Sequence, residues 1–222
     1  MQPASRDNDN APLEGGMLWV AAIVLASANF MSILDLTIAN VSLPNIAGGL
    51  AATSSQGTWI VTSYAVAEAI VVPLTGWLAA RFGAVRVFIT AMGMFGLLSA
   101  LCGMAQTLAM IVAARILQGM AGGLLMPLSQ TLLLRIFPKE KAGAAITLWS
   151  MTTLIAPILG PLLGGWLCDT LSWPWIFYIN LPLSIVCLVF SGRLLNRYET
   201  RRTPTPIDVV GLGLLILWVG AL

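Results

Sequence analysis

Six stretches of this chain are each long and apolar enough to cross a bilayer, and nothing else in it restricts the fold as strongly. A hydrocarbon core about 30 Å thick takes roughly 20 mostly apolar residues in a helix. The stretches run over residues 17–41, 58–80, 86–104, 108–130, 142–166 and 175–192. A seventh begins near Val209 and reaches the last residue, Leu222, after 14 residues. At about 1.5 Å per residue it covers only about 21 Å, less than a bilayer. The expected fold class is therefore an all-α membrane protein with six complete spans and the start of a seventh. The divisions are a disordered cytoplasmic tail at 1–16, a six-helix bundle at 17–192, a basic cytoplasmic link at 193–206, and the start of a truncated seventh helix at 207–222. Ala26-Ser27-Ala28 looks like a signal-peptide cleavage site, but Arg6 is outweighed by Asp7, Asp9 and Glu14, and the apolar run continues past it. The first span is expected to stay.

The charges give the spans an orientation and exclude other classes. Apolar residues make up 58% of the chain and charged residues 9%, against about 45–50% and about 25% in soluble domains. An ordinary cytosolic enzyme or a disordered chain is thereby excluded, and a net charge of +2 gives no reason to expect a nucleic-acid partner. With a cytoplasmic N-terminus, the inside segments hold Arg6, Arg81, Arg86, Arg135, Lys139, Lys141, Arg193, Arg197, Arg201 and Arg202, ten of the eleven Lys and Arg. The outside segments carry only Asp169. The positive-inside rule thus places the N-terminus in the cytoplasm. Trp19, Trp59, Trp77, Trp166, Trp173 and Trp175 fall near span ends, where an amphipathic ring anchors at the headgroups. Trp149 lies about two turns inside the fifth span, as a pocket wall or as simple helix packing. Three separated cysteines and the absence of histidine argue against a metal site or a disulfide framework.

Asp35, Glu68 and Arg115 interrupt apolar spans. Each costs about 2.5–3.5 kcal/mol at a helix centre on insertion scales, so each must face protein or water. Counted from the span ends, Asp35 and Arg115 lie about 9 and about 10 Å below the outer surface, and Glu68 about 15 Å, near the midplane. The matching depths permit an ion pair. Tyr64 shares the helix face of Glu68, four residues away. Two readings stand side by side: a proton-coupled path in which these carboxylates load and release protons, or a static buried ion pair between helices. Arg115 serves either as partner or as substrate contact. Gly119 and Gly123, and Gly160 and Gly164, form small-xxx-small faces where helices can approach closely. Pro73, Pro127, Pro157 and Pro161 free backbone carbonyls and bend their spans.

Five motifs, in order and on the right spans, resemble those of one family. Leu34-Asp35-Leu36-Thr37-Ile38-Ala39-Asn40-Val41-Ser42-Leu43-Pro44 resembles the first-span motif of major facilitator superfamily drug:proton antiporters with fourteen spans. Gly76-Trp77-Leu78-Ala79-Ala80-Arg81-Phe82-Gly83 resembles the superfamily's signature turn. Arg115-Ile116-Leu117-Gln118-Gly119 resembles the fourth-span proton-transfer motif, and Gly160-Pro161-Leu162-Leu163-Gly164-Gly165 the fifth-span antiport motif. With Trp173-Pro174-Trp175-Ile176-Phe177-Tyr178-Ile179-Asn180-Leu181-Pro182, they resemble exporters of the EmrB/QacA type. The signature turn departs from the family pattern, with Ala80 in place of the acid and Ala84 and Val85 in place of basic residues, while Ala156 takes a place often held by glycine in the antiport motif.

The resemblance implies the N-terminal six-helix bundle of the major facilitator fold, with alternating access between two halves. Asp35, Glu68 and Arg115 become proton- and substrate-coupling residues, with Tyr64, Gln118 and Trp149 as candidate pocket lining. Gly76, Arg81 and Gly83 become the inner-gate turn, and Gly160, Pro161, Gly164 and Gly165 a bendable packing surface. The implied function is efflux of hydrophobic or cationic compounds across a bacterial inner membrane, driven by the proton gradient with no cofactor. A periplasmic membrane-fusion adaptor and an outer-membrane channel are partners by analogy. The alternatives are a narrower substrate, such as a siderophore or fatty acid, or a truncated membrane protein that does not transport. No GxSxG, HExxH or GxxxxGK[ST] pattern points to an enzyme.

Overall fold

The computed structural model describes residues 15–200 together with 211, 213, 214, 216 and 217. Among these residues the secondary structure is entirely helical. The elements are α1 (Gly15–Val41), α2 (Leu43–Gly49), α3 (Ser54–Val71), α4 (Thr75–Phe82), α5 (Ala84–Gly103), α6 (Leu108–Ile136), α7 (Ala142–Thr170), α8 (Trp175–Tyr178) and α9 (Asn180–Leu194). Six segments are long and apolar enough to cross a membrane: Gly15–Val41, Ser54–Phe82, Ala84–Gly103, Leu108–Ile136, Lys139–Thr170 and Trp175–Leu194. The expected tail at 1–16 differs in part, since Gly15 and Gly16 already belong to α1, and its remainder lies outside the described residues. Arg201, Arg202 and most of the expected seventh helix lie outside them too, although residues 211, 213, 214, 216 and 217 are helical.

The helix ends follow from local chemistry. Thr53 caps α3 by accepting from the Gln56 amide at 3.3 Å while the Gln56 side chain accepts from the Thr53 amide at 3.0 Å, a reciprocal capping box. Thr107 accepts from the Met110 amide at 3.2 Å and starts α6. Pro73 lacks an amide hydrogen, and the second span passes there through a 3-10 turn (Val72–Leu74) between α3 and α4. The sixth span is also in two pieces. Its hydrogen-bond ladder is interrupted at Ile179, where φ −59 and ψ −25 stay helical, and Pro182, which cannot donate to the Tyr178 carbonyl, follows within one turn. Pro127, Pro157 and Pro161 are instead carried inside continuous helices.

Helix α1 packs against α6, α7 and α9, α3 against α6, and α5 against α6 and α9. Two apolar clusters fill the interior. One includes Leu25, Met31, Phe88, Phe95, Leu125 and Leu132; the other includes Ile38, Ile60, Cys102, Ile111, Ile176 and Phe177. On α1, α5, α6 and α9 the boundary between them is marked by buried polar side chains: Asp35, Ser99, Arg115, Gln118 and Asn180. Large apolar residues such as Leu97, Ile158 and Leu162 point outward, an arrangement suited to lipid or to another helix rather than to water.

Close packing rests on the glycines. A Cβ at Gly119 would collide with the Tyr64 carbonyl oxygen, and one at Gly123 would come within 2.8 Å of the Glu68 carbonyl. These two glycines let α6 lie directly on the α3 backbone. Similarly, Gly160 abuts Thr37 Oγ1, and a Cβ at Gly164 would sit 3.0 Å from Ser42 Oγ, so this face of α7 packs on α1. The neighbouring Gly165 faces open space and Pro161 is exposed, so the close-packed part of that motif is Gly160 and Gly164.

Candidate functional site

At the boundary between the two apolar clusters, the fourth and sixth spans bring polar side chains to one carboxylate on the first. Asp35 of α1 and Arg115 of α6 are buried, at 1% and 0% side-chain exposure, and Arg115 Nη1 donates to Asp35 Oδ2 at 2.5 Å. The other carboxylate oxygen accepts from Gln118 Nε2 at 3.2 Å and from Asn180 Nδ2 at 2.7 Å. All three partners donate. The site as hydrogen-bonded therefore fits an ionised carboxylate, which only accepts, and a carboxyl O–H would find an acceptor only if an amide turned its oxygen inward.

The guanidinium is fixed as tightly. Arg115 Nη1 also donates to Gln118 Oε1 at 3.0 Å and Nε to the Ile60 carbonyl at 3.3 Å. Its charge lies 4.4 Å from the Tyr64 ring centroid and 5.4 Å from that of Phe177, close enough for cation–π attraction in a desolvated setting. Nη2 is buried with no hydrogen-bond partner. Around this core, Cys102 donates to Gln118 Oε1 at 3.3 Å, and Tyr64 Oη shares a 3.2 Å hydrogen bond with Ser32. Asn180 Nδ2 is also 3.0 Å from Ser99 Oγ, which donates to the Phe177 carbonyl at 2.8 Å.

Of the residues singled out from sequence, Asp35, Arg115, Gln118 and Tyr64 converge in this layer. Glu68 stands apart. It is half-buried at the α3–α6 contact beside Gly123, and it makes no hydrogen bond or ion pair among the described residues. Trp149 is buried and donates through Nε1 to Ser129 Oγ at 3.1 Å, tying α7 to α6. A second polar contact joins α1 to α7, where Asn29 donates to Thr152 and Thr153 at 3.1 and 2.9 Å. Asn180, Ser99 and Asn29 were not singled out as site residues. A polar residue within an apolar run is the signal that marks each of them.

An acid from beyond the sixth span reaches the signature turn. Gly83 has φ +98, and a Cβ there would collide with the Glu199 carboxylate. That carboxylate accepts from the Val85 and Arg86 amides, both at 3.1 Å, at the start of α5. Thr200 accepts from the Ala84 amide at 2.8 Å and donates to the Ala79 carbonyl at 3.3 Å. Glu199 therefore places negative charge at a helix N-terminus, where the backbone dipole favours it, and reaches it from beyond the sixth span. Arg81 is exposed and packs its guanidinium over Trp77 at 5.5 Å, while Gly76 faces open space.

The Major Facilitator Superfamily profile matches residues 25–220, nearly the whole chain. The chain belongs to the major facilitator superfamily. It is 49% identical over 211 residues to the multidrug export protein EmrB of Haemophilus influenzae, covering 95% of this chain and 41% of that protein. It is 48% identical over 212 residues to the probable multidrug resistance protein EmrY of Escherichia coli, covering 96% and 41%. The fatty acid resistance protein FarB of Neisseria gonorrhoeae is 47% identical over 214 residues, covering 96% and 42%. The chain thus spans about two-fifths of the length of these curated relatives. In structure it is similar to the peptide transporter POT in complex with sulfate, with a TM-score of 0.75 at 16% identity, over 96% of this chain and 46% of that one. The human organic anion transporter MFSD10 gives a TM-score of 0.65 at 16% identity, over 91% and 54%. These structures share the fold, an all-α major facilitator bundle, and this chain is a multi-pass membrane protein of that kind.

Proposed function

We propose that this chain supplies the N-terminal bundle of a proton-driven exporter of hydrophobic or cationic compounds in a bacterial inner membrane. The observation that carries the reading is the Asp35 layer, a buried carboxylate whose partners all donate. In such a layer, adding a proton to Asp35 cancels the ion pair and gives the new O–H an acceptor only if a neighbouring amide turns, so protonation and packing are linked. The relatives named as multidrug export and resistance proteins support the substrate class. The basic residues at one set of span ends support a cytoplasmic N-terminus. In this reading the proton gradient is the energy source, no cofactor or nucleic acid takes part, and chemistry on the substrate is absent.

Asp35 exchanges a proton for substrate, Arg115 sets the strength of that exchange, and Glu68 is a second carboxylate nearer the midplane. Tyr64 and Gln118 shape the site wall, and Trp149 sits in the α6–α7 contact. Gly76, Arg81 and Gly83, with Glu199, form the inner gate, and Gly160 and Gly164 form the face on which α7 and α1 move. A periplasmic adaptor and an outer-membrane channel complete the path. FarB favours a second reading, export of fatty acids by the same machinery.

Inside-out vesicles carrying the exporter test both readings. An acidic interior should drive accumulation of a cationic dye, and Asp35→Asn should reduce it to the level of empty vesicles. Unchanged uptake in Asp35→Asn would remove that residue from the mechanism. Inhibition of dye uptake by a medium-chain fatty acid, and not by a second cation, would favour the narrower substrate.

A further inference from the structure

The hydrogen-bond ladder of the sixth span is interrupted at Ile179, and the first residue beyond the interruption is Asn180, whose side chain is buried against Asp35. Its amide nitrogen has two hydrogens and two acceptors: Asp35 Oδ1 on α1, at 2.7 Å, and Ser99 Oγ on α5, at 3.0 Å. Ser99 in turn donates to the Phe177 carbonyl on α8, at 2.8 Å. The start of α9 and the last turn of α8 are therefore pinned to one another through α5, and this pin is anchored on the Asp35 charge. The backbone ladder is weakest at this point, because Pro182 offers no amide to the Tyr178 carbonyl, although the Ile179 amide still donates to the Trp175 carbonyl at 3.1 Å.

We propose that Asn180 is a positioning residue that converts the charge state of Asp35 into a change of hinge freedom at Ile179. The inference rests on the reading of Asp35 as a proton-exchanging group. When the carboxylate takes up a proton, Oδ1 either carries it or loses much of its strength as an acceptor. If Asn180 turns its carbonyl towards the new O–H, Nδ2 leaves Ser99; if it does not, Nδ2 keeps an oxygen that no longer carries charge and accepts more weakly. Either way the anchoring of Asn180 is weakened. The joint between α8 and α9 is then held by the Ser99–Phe177 bond, by the Ile179 amide on the Trp175 carbonyl and by apolar contact. The titratable and charged groups close enough to act on Asp35 electrostatically are Arg115 from α6, Tyr64 and, further off, Glu68 from α3, and Cys102 from α5. Asn180 is uncharged and cannot itself titrate, so a pH response at the hinge has to originate in that set.

Hydrogen–deuterium exchange of the full chain in lipid nanodiscs, read over residues 175–184 and corrected for intrinsic exchange chemistry, tests this. In the wild type, exchange should step up by about tenfold as pH falls, the effect of taking the charge from one buried hydrogen bond. Asp35→Asn should exchange fast at every pH. Asn180→Leu should also be fast at every pH, with the step gone and segment 120–130 of α6 unchanged. If Asn180→Leu does not fold, Ser99→Ala decides, because it deletes one hydroxyl and should shrink the step. A step of full size in Asn180→Leu or Ser99→Ala, or no step in the wild type, overturns the proposal. A wild-type chain with no step whose export still requires Asp35 overturns the hinge alone. A step that disappears in Asp35→Asn while export does not depend on Asp35 supports the hinge and removes the proton-coupled reading.

Discussion

Arg115→Met should lower the stability of the bundle by about 3–5 kcal/mol, the cost of leaving a buried charge without its partner. The side chain is fully buried, so no water replaces it when it is removed. Asp35 would retain two amide donors but lose the one cation within hydrogen-bond reach among the described residues. The same substitution takes the charge away from the Tyr64 and Phe177 rings, whose attraction adds about 1–2 kcal/mol in a desolvated place. The double variant Asp35→Leu with Arg115→Met should recover most of the loss, because it removes both charges and their desolvation together. Unfolding in mixed micelles with increasing SDS measures both. A single variant within about 0.5 kcal/mol of wild type, the usual range for surface substitutions, would mean that the pair is hydrated.

Gly119→Val should be the most damaging of the glycine substitutions, costing about 3 kcal/mol or more. Its Cβ would meet the Tyr64 carbonyl oxygen, which is backbone and cannot rotate aside. Helix α3 would have to move away from α6, taking Tyr64 from Arg115 and the Ile60 carbonyl from Arg115 Nε. The packing defect thus reaches the charged layer through a helix displacement. Gly165→Val is the control, because nothing lies within 4 Å of a Cβ there, and it should cost less than about 1 kcal/mol. Folded yield and SDS unfolding of the two variants compare them. Equal losses would contradict the packing account.

The charged part of the site was legible because ionisable residues in apolar runs are expensive and therefore conspicuous. Asp35 and Arg115 stood out on that ground, and their matching depths on separate spans allowed the ion pair that the fold forms at 2.5 Å. Glu68 stood out for the same reason and lies on the same α3–α6 face as Tyr64, but one turn further along it makes no hydrogen bond or ion pair with the layer among the described residues. Asn180 and Ser99 gave a weaker signal. An uncharged polar side chain costs little to insert, and its importance shows only when helices far apart in sequence are brought together; Asn180 and Asp35 are 145 residues apart. Glu199 was hidden by the same kind of distance, capping an amide 114 residues earlier. Helix α2 was missed for a different reason: seven residues between two spans are too few to stand out as a periodic segment. The interruptions at Val72–Leu74 and Ile179 follow from Pro73 and Pro182, whereas Pro127, Pro157 and Pro161 leave their helices unbroken. A proline alone therefore does not locate a hinge.

The central claim is that Asp35 gives up a proton when substrate binds. Proton release on adding a cationic substrate to the purified exporter, in weakly buffered detergent solution with a pH indicator, measures it directly. The wild type should acidify the solution in proportion to the substrate bound, and Asp35→Asn should bind substrate without acidification. Equal proton release from both proteins would contradict the account.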